Sequence, residues 1–83
     1  MYEYYICDTA DDEIFRKQCA SIEKNIAPLK KEKLLEDVDG SLIQIYDYKG
    51  TEIKVCSDHF FDEVCVRSGI ELQQFFQAGG SNG

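Results

Sequence analysis

The residues best suited to chemistry sit together in Cys56-Ser57-Asp58-His59, with Cys65 further along. A thiol and an imidazole three positions apart suggest either a zinc site or a nucleophile with its base. Structural zinc needs four ligands, commonly as two close pairs, and no second closely spaced pair occurs. If this stretch is a strand, alternation sends Cys56 and His59 to opposite faces. Cysteine catalysis needs a base within hydrogen-bond reach and a group to orient it, and His59 is the one histidine for four thiols. The expectation is therefore no catalytic residue, no metal and no cofactor.

Asp37-Val38-Asp39-Gly40-Ser41 opens like a calcium loop. An EF-hand starting at Asp37 would need its bidentate glutamate where Tyr48 stands, so Asp39-Gly40 reads as a hairpin turn instead. The carboxylate pairs Asp11-Asp12 and Asp62-Glu63 could do acid–base work only in a cleft, and a chain of this size has little material for one.

Charge is more informative than any motif. Sixteen acidic residues face nine basic ones in 83 residues, a net charge of −7. Residues 1–15 hold five acids and no base, residues 16–33 sum to +4, and residues 34–83 sum to −6. Lys30, Lys31 and Lys33, with Arg16, Lys17, Lys24 and the tyrosines, make a partial case for nucleic acid. The surrounding negative field opposes it, because phosphate binding is driven by counterion release at basic surfaces. No direct contact with nucleic acid or membrane is expected. No stretch approaches a membrane span, and Met1–Tyr5 lacks the features of a signal peptide, so a cytoplasmic protein is expected. Cys7, Cys19, Cys56 and Cys65 then read as reduced core thiols.

The elements that would position these residues follow from periodicity. Met1–Cys7 alternates as a strand. Thr9 is spaced to cap a helix over 10–27, in which Phe15, Cys19, Ile22 and Ile26 form one stripe, ended by Pro28. Strands are expected at 33–38, 41–48, 51–57 and 64–67, separated by Asp39-Gly40 and Lys49-Gly50 turns. Ser68, three residues before Glu71, is spaced to cap a short last helix. The fold class is α+β: a single small domain over 1–77 in the order β-α-β-β-β-β-α, an antiparallel sheet covered by one main helix. Residues 78–83 read as a flexible tail. The expected core is Ile6, Phe15, Cys19, Ile22, Ile26, Leu35, Ile43, Ile45, Ile53, Val55, Val64 and Val66.

An acidic surface without a catalytic motif suits a protein that plugs the basic cleft of a nuclease or other nucleic-acid-binding protein. Small acidic immunity proteins, antitoxins and phage-encoded inhibitors neutralise toxins and nucleases in this manner, an analogy of type only. Complementary charge speeds association, and aromatic side chains anchor the contact. The expected partner-binding residues are Asp11, Asp12, Asp37, Asp39, Asp58, Asp62 and Glu63, with Tyr46 and Phe61 as anchors. The competing expectation is a regulatory or scaffolding module that forms a homodimer or pairs through an open strand edge, insensitive to salt.

Overall fold

Two tight turns organise the chain. Gly40 (φ 90°) closes one, and Lys49 (φ 51°) with Gly50 (φ 88°) closes the other, backbone conformations that glycine adopts without strain. Between and around them run β1 (Tyr2–Cys7), α1 (Asp12–Asn25), β2 (Lys30–Glu36), β3 (Leu42–Tyr48), β4 (Thr51–Asp58), β5 (Glu63–Ser68) and α2 (Gln73–Gly80). This computed structural model describes residues 1–80, with side chains through Phe76. The expected tail over 78–83 overlaps the end of α2, and its residues 81–83 lie outside the described residues.

The strands form one antiparallel sheet in the order β1-β5-β4-β3-β2. The last four make a meander, and α1 carries the chain across one face from the β1 edge to the β2 edge. Phe15, Cys19 and Ile22 on that side of α1, with Ile26 just past its end, pack against Tyr46, Ile53, Val55 and Val66, and Leu72 closes the layer. The α+β class and the element order are as the sequence indicates. No helix among the described residues is long and apolar enough to cross a membrane.

Several local expectations are corrected. The α1 N-cap is Asp11, whose carboxylate accepts from the Glu13 and Ile14 backbone N–H groups, so the helix begins later than a Thr9 cap would place it. Ser68 stays in β5, its Oγ accepting from Ile70 N–H, and α2 starts at Gln73. The face of β3 is inverted. Tyr46 pairs with Ile53 and Gln44 with Val55, so these polar-tipped residues face α1 while Ile43 and Ile45 face away. Both buried polar tips are satisfied. The Tyr46 hydroxyl donates to Glu23, and the Gln44 amide donates to the Glu32 and Lys33 carbonyls, where a bulge in β2 frees them. Leu35 lies on the uncovered face, 45% exposed, and Ile6 sits in the β1 bulge. Neither belongs to the core.

Candidate functional site

Antiparallel parity sends three connections to one end of the sheet: β1–α1, β2–β3 and β4–β5. The segments there, residues 8–13, 36–41 and 58–63, carry four, three and three carboxylates and not one lysine or arginine. The remaining sequence holds the other six acids against all nine bases. The molecule is therefore polarised: one end concentrates ten of its sixteen acids, and the rest is net positive.

Direct contacts tie the three segments together. Ala10 N–H donates to Asp62 Oδ1 at 2.8 Å, joining the first connection to the third. His59 N–H donates to Ser41 Oγ at 2.8 Å, and the His59 ring packs beside Gly40, joining the third to the second. His59 Nε2 also lies 4.0 Å from Asp12 Oδ1 at the start of α1. At this end Phe60 and Phe61 stack edge to face, centroids 4.9 Å apart, and stand 80% and 66% exposed. Val38 is fully exposed on the neighbouring turn. Three large apolar side chains thus stand exposed among the carboxylates of this end.

All seven acids expected from the sequence converge here. Five of them also hold local backbone. Asp11 caps α1, Asp37 accepts from its neighbour Val38, and Asp39 accepts from Ser41. Asp58 accepts from Phe60 and Phe61, and Asp62 holds Ala10. The Ser41 bond draws Asp39 below the ordinary carboxylate value. Asp12 and Glu63 hold no backbone group in this way, so replacing them tests surface charge without removing a backbone hydrogen bond.

Of the two expected anchors, Phe61 is at the acidic end and exposed. Tyr46 is not available: it is fully buried beneath α1. A tyrosine inside an alternating strand gives no local sign of its face, and the pairing of Tyr46 with Ile53 decides it. Phe60 is the residue sequence reasoning passed over. Its signal was present, since two adjacent phenylalanines in a polar turn cannot both be buried by strand alternation.

The opposite end of the sheet is different in character. Tyr48 packs edge to face on Phe75 at 5.3 Å, and Lys49 Nζ lies 5.3 Å from the Tyr48 ring centroid. Among the described residues no three His, Cys, Asp or Glu side chains gather as metal ligands would. The acidic end is a surface of turns in which Asp37, Asp39, Asp58, Phe60 and Phe61 line a cavity of about 230 Å³. Comparison with protein families, with characterised proteins and with solved structures finds no match to this chain.

Proposed function

We propose that the protein is a non-enzymatic cytoplasmic inhibitor that neutralises a basic nuclease or nucleic-acid-binding protein by covering its positively charged site. One observation carries the reading: ten carboxylates and an exposed Phe60–Phe61 pair share one end of a sheet whose remainder is net positive. Acidity acquired for solubility alone has no reason to gather at one end around two aromatic rings.

The physical division of labour follows. The charged end steers a cationic partner and sets the approach direction, because its field points out along the strands. Phe60 and Phe61 leave water on contact and supply the apolar centre that surface charges lack. The five strand ends span about 19 Å, the width of a plug for a cleft. Pairing through a strand edge is the competing reading. The β2 edge is exposed throughout, yet it carries three lysines and a bulge, features that blunt edge pairing.

Capture of partners from the cells that make the protein, followed by elution with a salt gradient, tests the proposal. It requires a basic partner released by a few hundred millimolar salt, on the order at which exposed charge contacts are screened. A partner indifferent to salt, or recovery of the protein alone, would remove it.

A further inference from the structure

Two thiols that the docking surface does not use face each other on the uncovered side of the sheet. Cys56 in β4 lies directly opposite Cys65 in β5. One step past this ladder Gly69 N–H donates to Glu52 O at 3.2 Å. By alternation, Lys54/Arg67 and Cys56/Cys65 are therefore hydrogen-bonded pairs of the ladder. Such pairs hold their Cα atoms about 5.5 Å apart, near the commonest separation for disulfide-linked residues. Lys54 and Arg67 occupy the next rung on the same face. Cys56 also lines a cavity of about 230 Å³ with Asp37, Asp39, Asp58, Phe60, Phe61 and Arg67, which gives a small reagent a way in to a side chain only 5% exposed.

The two sulfurs are not equivalent. The neighbouring Cys65 thiol, helped by Arg67 and Lys54, holds the Cys56 thiol below its ordinary value although burial and the Asp58 charge oppose this. The same contact, with burial, pushes Cys65 up. Cys56 has the character of a nucleophile and Cys65 that of a proton-bearing neighbour. The other two thiols lack such a setting: Cys7 donates to the Thr9 carbonyl, and burial pushes Cys19 up.

We propose that Cys56 and Cys65 form a thiol–disulfide exchange site for a small disulfide of the glutathione type. The Cys56 thiolate attacks one sulfur of that disulfide, giving a mixed disulfide and one departing thiolate, which takes up the proton that Cys56 released. Cys65 then attacks the Cys56 sulfur. The second small thiolate departs with the Cys65 proton, so two protein thiols and one disulfide become one cross-strand disulfide and two small thiols. Lys54 and Arg67 beside the pair are themselves held by Glu52 at 3.5 Å and Glu3 at 2.8 Å. Closing the bridge draws together Cβ atoms that a hydrogen-bonded pair holds up to about 5.5 Å apart, so the product is strained and readily reduced. The proposal does not rest on the docking reading, although Asp58, Phe60 and Phe61 of that surface line the entry cavity.

The test uses the full chain carrying Cys7→Ser, incubated with glutathione disulfide and followed by intact mass and peptide mapping. The expected product has lost two hydrogens and yields a cross-linked Cys56–Cys65 peptide, and dithiothreitol restores the starting mass. Adding Cys65→Ser should stop the reaction at one glutathionyl group on Cys56, while Cys56→Ser should leave Cys65 unmodified. Circular dichroism checks that each variant folds, and if Cys56→Ser does not, the Cys65→Ser trap decides. Thiols that stay reduced until the protein is unfolded in urea overturn the proposal. So does a mixed disulfide that settles on Cys65, or one on Cys56 that Cys65 never resolves.

Discussion

The hydroxyl of Tyr46, fully buried in the middle of β3, donates a 2.6 Å hydrogen bond to Glu23 Oε2 on α1. Lys31 Nζ at the start of β2 reaches the same carboxylate at 3.3 Å. Burial pushes the phenol up and keeps it a neutral donor. Its bond, and then Lys31, hold Glu23 below the ordinary carboxylate value despite some desolvation. One charged group thus joins the helix to two strands.

Tyr46→Phe should lower stability by about 1–2 kcal/mol, the lower part of the range for a hydrogen bond to a charged acceptor because Glu23 is 40% exposed, measured by urea unfolding. Glu23 has a depressed value in the folded state, so its contribution is complete above the ordinary value of 4.5 and is lost as pH falls through the folded value. The gap between wild type and Tyr46→Phe should therefore narrow below pH 4.5. A gap that stays constant with acidification would show that the carboxylate is not the partner that matters.

Gly69 lies against Thr51, and a Cβ built on it would come within 2.7 Å of Thr51 Cγ2. Gly69→Ala should cost about 1–3 kcal/mol, as overpacking does, because the Thr51 methyl sits on a β-branched side chain with little freedom to move. Thr51→Ser in the same chain should recover most of the loss. Thermal unfolding of the two variants reads this directly, and failure of the second substitution to rescue the first would mean that the backbone, not the methyl, is the obstacle.

Ser57 is fully buried in β4, and its hydroxyl has no hydrogen-bond partner among the described residues. An unpaired buried hydroxyl costs about 1–3 kcal/mol. Ser57→Ala removes the polar atom and leaves a space of only one oxygen, so the variant should be more stable than wild type, by about 1 kcal/mol in urea unfolding. A less stable variant would reveal a partner for the hydroxyl in solution.

The order of elements was legible because the chain announces its own punctuation: Asp39-Gly40, Lys49-Gly50 and Pro28 fall at breaks, and the Phe15–Ile26 stripe has helical spacing. From that order the convergence of acids follows, since alternate connections of a meander must lie at the same end. The face of β3 was not legible. Leu42, Gln44, Tyr46 and Tyr48 look less like a core set than Ile43 and Ile45, and only pairing with Ile53 and Val55 reverses the reading. Tyr46 accordingly reads as an anchor in the sequence and is a core residue in the fold. The start of α1 is ambiguous in the sequence for a related reason. Thr9 and Asp11 both have capping side chains, and the choice between them depends on the path by which β1 delivers the chain, including the bond from Ala10 to Asp62.

Exposed Phe60 and Phe61 should contribute little to folding, so replacing both with serine should change stability by no more than about 0.5 kcal/mol, as for surface positions free of special roles. Unfolding in urea checks this. A larger loss would mean that the pair packs against the sheet and is not free to meet a partner.

The most direct measurement compares partner capture by three forms of the protein: wild type, Asp12→Lys with Glu63→Lys, and Phe60→Ser with Phe61→Ser, each shown to be folded by circular dichroism. If the acidic end is the docking surface, wild type captures a basic partner that salt releases. The charge-reversed form should bind it at least about 10-fold more weakly, a loss of roughly 1.4 kcal/mol, and the aromatic variant should lose a similar or greater amount. Undiminished capture by both variants would contradict the account, because the two features that distinguish this end of the molecule would then play no part in what it binds.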